Sequence, residues 1–243
     1  NGGNSWILNS SYPEITDIYF INSNTGFYGF DNSEDFVSHG GIYKTTDSGL
    51  NWNIVTSNFY SFIINSIYFD DSTGWACGYS WDDVGHDSSV ILKTTNFGNT
   101  WDKKYSKTNY NWYNHLKQIY SIGQTVWAVG KDSIILRSTD SGDNWQEINL
   151  NTSKRVNTVF FINANTGWIA GSRSPDTTTI MKSTNGGLNW FYLKNNYPDE
   201  INSITFTDGN TGWAVGGNYY NGSGLILKST TGGLTFISNS DNQ

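Results

Sequence analysis

The stretch "TTDSGLNW", Thr45 to Trp52, sets a carboxylate, a glycine and an indole within eight residues, the parts from which an active-site loop could be made. A second chemistry is offered by carboxylates in the polar stretches: Asp31, Glu34 and Asp35, then Asp82, Asp83 and Asp87, then Asp176, Asp199 and Glu200. Two such groups facing each other across a cleft could hydrolyse a glycosidic bond, one as acid and the other as base or nucleophile. A third is metal binding, since "DDVGHD" clusters Asp82, Asp83 and Asp87 with His86, and Ca²⁺ accepts oxygen ligands from such a loop. No EF-hand spacing or paired zinc-ligand motif accompanies it, and His39, His86 and His115 fall in different polar stretches. Neither a Ser-His-Asp signature nor a glycine-rich phosphate cradle is present, so no cofactor is expected.

The acid–glycine–indole stretch recurs. "TTNFGNTW" ends at Trp101, "STDSGDNW" at Trp145, "STNGGLNW" at Trp190 and a worn copy, "STTGGLTF", at Phe236, while the opening "NGGNSW" reads as the back half of another, ending at Trp6. Successive aromatics lie 44 to 49 residues apart. One period from end to end argues for a single domain, and a period of ~40 to 50 residues suits a propeller blade. A catalytic acid is not needed five times over, whereas a structural turn is.

The elements that would position these turns are strands. In the fourth repeat, "VNTVFFI" reads as a first strand, "NANTG" as a turn, a second strand starts at Trp168, "TIMKST" is a third, "NGG" a tight turn and "NWFYL" a fourth. Four short antiparallel strands make a blade, and no long segment sustains a helical period, so the fold class is all-β, a β-propeller with five complete repeats and one extra N-terminal strand. In the recurring turn, Asp47, Asn96, Asp140 and Asn185 can accept backbone N–H bonds two residues on. Gly49, Gly98, Gly142 and Gly187 supply a positive φ. Trp52, Trp101, Trp145 and Trp190 then bury between blades. Thr231 and Phe236 depart from this pattern, so the fifth turn is expected to be looser or its strand to sit at a ring seam. Cys77 aligns with Val129, Ala170 and Val215 and reads as a small buried hydrophobe.

The pattern [ST]-x-[DN]-x-G-x-[TN]-W resembles the Asp-box, or BNR, repeat of sialidases, some endoglucanases, sortilin-type receptors and the photosystem II stability/assembly factor family. The additional "NTGW" turn looks most like the last of these and its secreted bacterial relatives. A sialidase would need three arginines on the substrate carboxylate. Of Arg137, Arg155 and Arg173, the first takes the place of Lys44, Lys93, Lys182 and Lys228 and reads as a structural cation, leaving two. The resemblance also implies a ring of six or seven blades. The repeats alone leave this open against five with a strand to spare.

The net charge is −7 over 243 residues with 14 dispersed cations, which disfavours nucleic acid and anionic membrane as partners. A photosystem assembly role, implied by resemblance alone, would call for a basic patch that this acidic chain does not advertise. No apolar run is long enough to insert in a membrane. The Asn, Ser, Thr, Gly and aromatic bias fits a secreted or cell-surface protein, and a start inside a repeat at Asn1 suggests a processed form or a segment of something longer. Aromatics gather in the polar stretches opposite the recurring turns: Trp81, Tyr105, Tyr110, Trp112, Tyr113, Tyr219 and Tyr220. Trp81, Tyr110, Trp112, Tyr113, Tyr219 and Tyr220, with Asp82, Asp83 and His86, form the expected ligand rim, for a carbohydrate or a protein. The expectation is a non-catalytic binding or scaffold module; the alternative is a glycoside hydrolase using paired carboxylates.

Overall fold

The structure, a computed structural model, describes residues 14–31, 40–56, 62–81, 87–109, 115–150, 155–171, 179–193, 200–218 and 223–238. Among these, five four-stranded antiparallel sheets follow one another along the chain, each of four consecutive strands. The first blade is β1 (Glu14–Phe20), β2 (Gly26–Asp31), β3 (Gly41–Thr45) and β4 (Asn53–Ile54). The second is β5 (Phe62–Asp70), β6 (Thr73–Trp81), β7 (Asp87–Thr94) and β8 (Asp102–Asn109), and the third β9 (Leu116–Ile122), β10 (Thr125–Gly130), β11 (Ile134–Ser138) and β12 (Gln146–Asn149). The fourth is β13 (Thr158–Phe161), β14 (Gly167–Gly171), β15 (Thr179–Ser183) and β16 (Phe191–Tyr192), and the fifth β17 (Glu200–Phe206), β18 (Gly212–Asn218), β19 (Ser223–Ser229) and β20 (Ile237–Ser238). The all-β propeller architecture read from the repeats is the one observed. The extra N-terminal strand expected at Ser5 to Ser11 lies outside the described residues.

Two boundaries differ from expectation. Trp81 and Asp87, expected in a loop, close a long hairpin in which they pair across β6 and β7. Tyr105, also expected in a loop, sits inside β8, where its hydroxyl donates to Glu147 Oε1 at 2.9 Å. Long ladders between β6, β7 and β8 satisfy backbone groups that a loop would leave to water. Conversely, the fourth strands of the other blades shrink: β16 has one neighbour, and both Phe191 and Tyr192 are exposed, so little burial extends it.

The recurring turn is a clasp, built somewhat differently from the reading above. The acid or amide reaches four residues on rather than two: Asp47 Oδ1 accepts from Asn51 N at 2.9 Å, Asn96 Oδ1 from Thr100 N at 3.0 Å, Asp140 Oδ1 from Asn144 N at 2.9 Å and Asn185 Oδ1 from Asn189 N at 2.9 Å. The preceding hydroxyl takes the glycine N–H, as Ser138 Oγ does from Gly142 at 2.8 Å. Left-handed backbone is occupied twice in succession, at Ser141 (φ 58°) and Gly142 (φ 85°). The fifth turn is not looser. Thr231 Oγ1 accepts from Thr235 N at 2.9 Å and Ser229 Oγ from Gly233 N at 2.9 Å, because a threonine hydroxyl places an acceptor where the acid would.

Hydrophobic clusters fill the gaps between blades, one in each of the four successive interfaces. The residues that seal them are not chiefly the clasp indoles, of which Trp52, Trp145 and Trp190 are half-buried and only Trp101 is buried. The sealing residues are second-strand aromatics. Trp75 Nε1 donates to Ser141 O of the third-blade clasp at 2.8 Å, Trp127 Nε1 to Gly186 O of the fourth at 2.9 Å, and Trp168 Nε1 to Gly232 O of the fifth at 3.0 Å. The two successive left-handed residues turn that carbonyl toward the preceding blade. The same rings stack on a first-strand phenylalanine across the gap, Trp127 on Phe161 at 3.7 Å and Trp168 on Phe206 at 3.6 Å. In the first blade the ring is Phe27, which has no N–H. Lys44 Nζ donates instead to Phe97 O at 2.7 Å. Arg137 Nε likewise reaches Gly186 O at 2.7 Å, so the third-strand cation is structural, as the repeat alignment implied. Cys77 is fully buried in the second interface, where burial pushes its thiol pKa far up.

First strands lie innermost and are tied to one another by side chains. Asp17 Oδ2 accepts from Ile67 N at 2.7 Å, Asn65 Nδ2 donates to Leu116 O at 2.6 Å, Gln118 Oε1 accepts from Val159 N at 2.6 Å, and Asn157 Nδ2 donates to Ile201 O at 3.0 Å. Toward the clasp side, Tyr19, Tyr68, Tyr120 and Phe160 form an aromatic girdle with successive centroids 5.6, 5.1 and 5.5 Å apart.

Three outcomes follow for stability. Trp127→Ala destabilises by ~3 to 5 kcal/mol in chemical denaturation, as large core truncations do, and Trp145→Ala by less, because its indole is only half-buried. Gly142→Ala puts a Cβ 2.5 Å from Trp75 Nε1, whereas at Gly49 the nearest atom is 3.5 Å away in its own blade. Both substitutions lose the left-handed preference, about 1 to 2 kcal/mol. Gly142→Ala adds overpacking of ~1 to 3 kcal/mol, read as a lower denaturation midpoint than that of Gly49→Ala. Burial, with Tyr120 and Tyr19 nearby, pushes the Tyr68 phenol up to about 12 from its ordinary 10.0. A phenol raised in the folded state stabilises below its unfolded pKa, and that contribution is lost as pH climbs through the folded one. The melting temperature therefore falls between about pH 10 and 12, and Tyr68→Phe flattens the fall.

Candidate functional site

The clasps and the first-to-second-strand turns share one face of the propeller, with Ser48 N bonded to Asn24 O at 2.9 Å. Connections between blades and the second-to-third-strand loops emerge on the other face. There the first strands begin, and charged residues from four blades meet around the axis. Asp31 ends β2 in register with Glu14, Lys117 is the second residue of β9, Arg155 precedes β13 and Glu200 opens β17.

Lys117 is the centre of this group. Burial lowers the pKa of its ammonium, and it feels the charges of Glu200, Arg155 and Asp31. Withdrawal from water disfavours the charged ammonium, while the two carboxylates oppose that effect. Glu200 is held by Asn157 Nδ2, which donates to its Oε1 at 2.7 Å and to the Ile201 carbonyl. Beside the group, His115 stacks on Tyr79 with centroids 3.6 Å apart and rings 5° from parallel, joining the second and third blades at the same face. Two cations and two anions in one another's field, with a flat π surface at the same end of the strands, offer partners for a carboxylate and for N–H donors. Among the described residues no group of three or more His, Cys, Asp or Glu is placed to hold a metal ion.

Of the rim residues named from sequence, Asp82, Asp83, His86, Tyr110, Trp112, Tyr113, Tyr219 and Tyr220 lie outside the described residues, and Trp81 is described by its strand position alone. Glu34, Asp35, Asp176, Asp199, His39 and Arg173 lie outside them as well. Asp31 and Glu200, named as carboxylates of this face, each act electrostatically on Lys117. Lys117 and Arg155 were missed. Their signal was positional: each stands within three residues of the start of a first strand, where a propeller brings blades together.

The sequence profile of the family described as "Photosynthesis system II assembly factor YCF48" matches residues 58–157. A curated relative from Oryza sativa subsp. japonica, the chloroplastic photosystem II stability/assembly factor HCF136, is 32% identical over 73 residues, which are 29% of this chain and 18% of that protein. The match thus spans less than a fifth of the rice protein's length. Among solved structures, YCF48 bound to D1 peptide aligns with a TM-score of 0.55 at 17% identity, covering 94% of this chain and 82% of that one. A GH74 enzyme from Niastella koreensis aligns with a TM-score of 0.69, also at 17% identity, covering 92% of this chain and 38% of that one. At such identities the two structures share the fold. The chain is an Asp-box repeat β-propeller whose sequence similarity lies with the photosystem II stability/assembly factor family.

Proposed function

We propose that the chain is a non-catalytic protein-binding module that holds a peptide segment of its partner over the axial mouth opposite the clasps. The observation that carries this reading is the convergence of Asp31, Lys117, Arg155 and Glu200 from four blades, with Lys117 partly withdrawn from water. Charges of both signs around a narrow axis suit a peptide, which offers carboxylates and amide N–H groups together, better than a neutral glycan. The family similarity supports a binding rather than a hydrolytic role, and a propeller of this kind has been seen with a peptide bound, in YCF48. Because four of the five blades contribute one charge each, a bound segment would engage several blades at once. The loop aromatics Trp112 and Tyr113 stand as the proposed rim of the same face. Secretion or surface display is part of the proposal and rests on composition.

The test is a displayed peptide library panned on the immobilised chain, with titration calorimetry on enriched sequences. Tight peptides should lose at least tenfold in affinity with Lys117→Met combined with Arg155→Met, at an unchanged melting temperature. Enrichment unaffected by that pair would overturn the site. Reducing-sugar release from a polysaccharide panel would overturn the non-catalytic reading.

A further inference from the structure

Each of the first four blades sets an aromatic at the same first-strand place, in register with its second-strand ring: Tyr19 with Phe27, Tyr68 with Trp75, Tyr120 with Trp127 and Phe160 with Trp168. These four half-buried rings are the girdle at the clasp end of the axis, successively tilted by 58°, 48° and 44°. Two of them are tied to the next first strand. Tyr19 donates its hydroxyl to Phe69 O at 2.9 Å, and Tyr120 donates its own to Phe161 O at 3.0 Å. The Tyr68 hydroxyl has no hydrogen-bond partner among the described residues. Tyr19 and Tyr120 belong to the first and third blades, yet the Tyr120 phenol feels the charge of Tyr19, so the hydroxyl ends draw toward one another across the second blade. Asp70, exposed at the end of β5, acts on both Tyr19 and Tyr68.

Neighbouring girdle centroids lie 5.1 to 5.6 Å apart. One cation can therefore stand within ~6 Å of two or three ring centroids at once, the range in which the ring quadrupole attracts it. Lysines of this chain already use rings in this way at the blade joints, Lys44 at 5.6 Å over Phe27 and Lys182 at 4.9 Å over Trp168. Among the described residues no cation stands over a girdle ring. We propose that the girdle is a second binding site, at the end of the axis away from the mixed-charge mouth, and that it takes a quaternary ammonium group with Asp70 as the opposite charge. A primary ammonium brings three N–H donors that need acceptors, and the girdle offers few: Phe160 has none, and the Tyr19 and Tyr120 hydroxyls are already bonded. A quaternary ammonium carries no N–H, so rings can replace its water without stranding a donor. A neutral apolar group would fill the same space but leave Asp70 unused, and a chain of net charge −7 draws cations to it. Rings held by bonds to the next strand are already arranged for the ligand, which spares the cost of ordering them.

NMR titration of the 243-residue chain with choline and with its neutral isostere 3,3-dimethyl-1-butanol tests this. Choline should bind, with its N-methyl protons shifted upfield by the rings, and the isostere should bind about tenfold more weakly. Tyr68→Leu should lose about tenfold in choline affinity, Tyr68→Phe should keep it, and Asp70→Asn should weaken it and remove its salt dependence. The Lys117→Met, Arg155→Met pair should leave choline binding unchanged, which separates this site from the mouth. Nα-acetyl-trimethyllysine amide sorts the source of the group: tighter binding than choline assigns it to a protein partner, weaker binding to a small amine, and both orders support the site. Absence of choline binding, equal affinity for the isostere, or choline affinity lost in the mouth pair overturns the proposal, as does affinity that survives Tyr68→Leu. If Tyr68→Leu lowers the melting temperature, nuclear Overhauser contacts from the choline N-methyl protons to tyrosine ring protons of the parent decide: their presence supports the site and their absence overturns it.

Discussion

Everything in this propeller hangs on a contact between a glycine with no side chain and an aromatic ring of the preceding blade, an indole in three of the four joints. At Gly142 and Gly187 the space where a Cβ would stand lies 2.5 and 2.8 Å from the Nε1 atoms of Trp75 and Trp127. The clasp therefore has two duties, and glycine meets both. It turns the third strand into the fourth, which needs a left-handed backbone, and it presents a carbonyl and a flat gap to a neighbour, which needs the absence of a side chain. Because the indole is buried when its N–H is bonded, the joint removes a large apolar ring from water without stranding a donor. The blade-to-blade angle is set at these contacts, and the hydrophobic clusters fill in behind them.

Placement of the axial mouth follows from that arrangement. Seating each second strand on the next clasp packs the first strands together, where their pleat sends alternate side chains to the interfaces and to the axis. The axis is polar because the first strands meet there with backbone groups that no ladder satisfies, and Asp17, Asn65, Gln118 and Asn157 bond to them. At the loop end Asp31, Lys117, Arg155 and Glu200 bring charges of both signs into one another's field. Lys117 stands on β9, and Arg155 directly precedes Val156, which is buried in the third interface.

A shared fold leaves function to this end of the axis. The GH74 and YCF48 structures both resemble the chain at 17% identity while their described activities differ, one an enzyme and one seen with a peptide. What distinguishes propellers is what the loops and first-strand starts carry. Here that is a mixed-charge group with Glu200 bonded to an amide and Lys117 withdrawn from water, a setting in which the charges orient a partner through fixed geometry.

The sequence by itself determined the blade. Period, strand grammar and the clasp could be read because each is local: a turn needs its acceptor and its glycine within eight residues, and strand signals lie in consecutive side chains. It also determined that Arg137 was structural and that Cys77 was core, since both readings needed only alignment of one repeat on another. Tertiary structure decided which indole seals the joints, because Trp145 and Trp127 have equal claims as sequence and differ only in what the next blade places against them. It decided that Asp31, Lys117, Arg155 and Glu200 share a site, since residues so far apart in the chain meet only when blades are arranged about an axis. It also decided that Val129 is buried and Val215 exposed, although the two hold one place in two blades, and that difference is made by the neighbour.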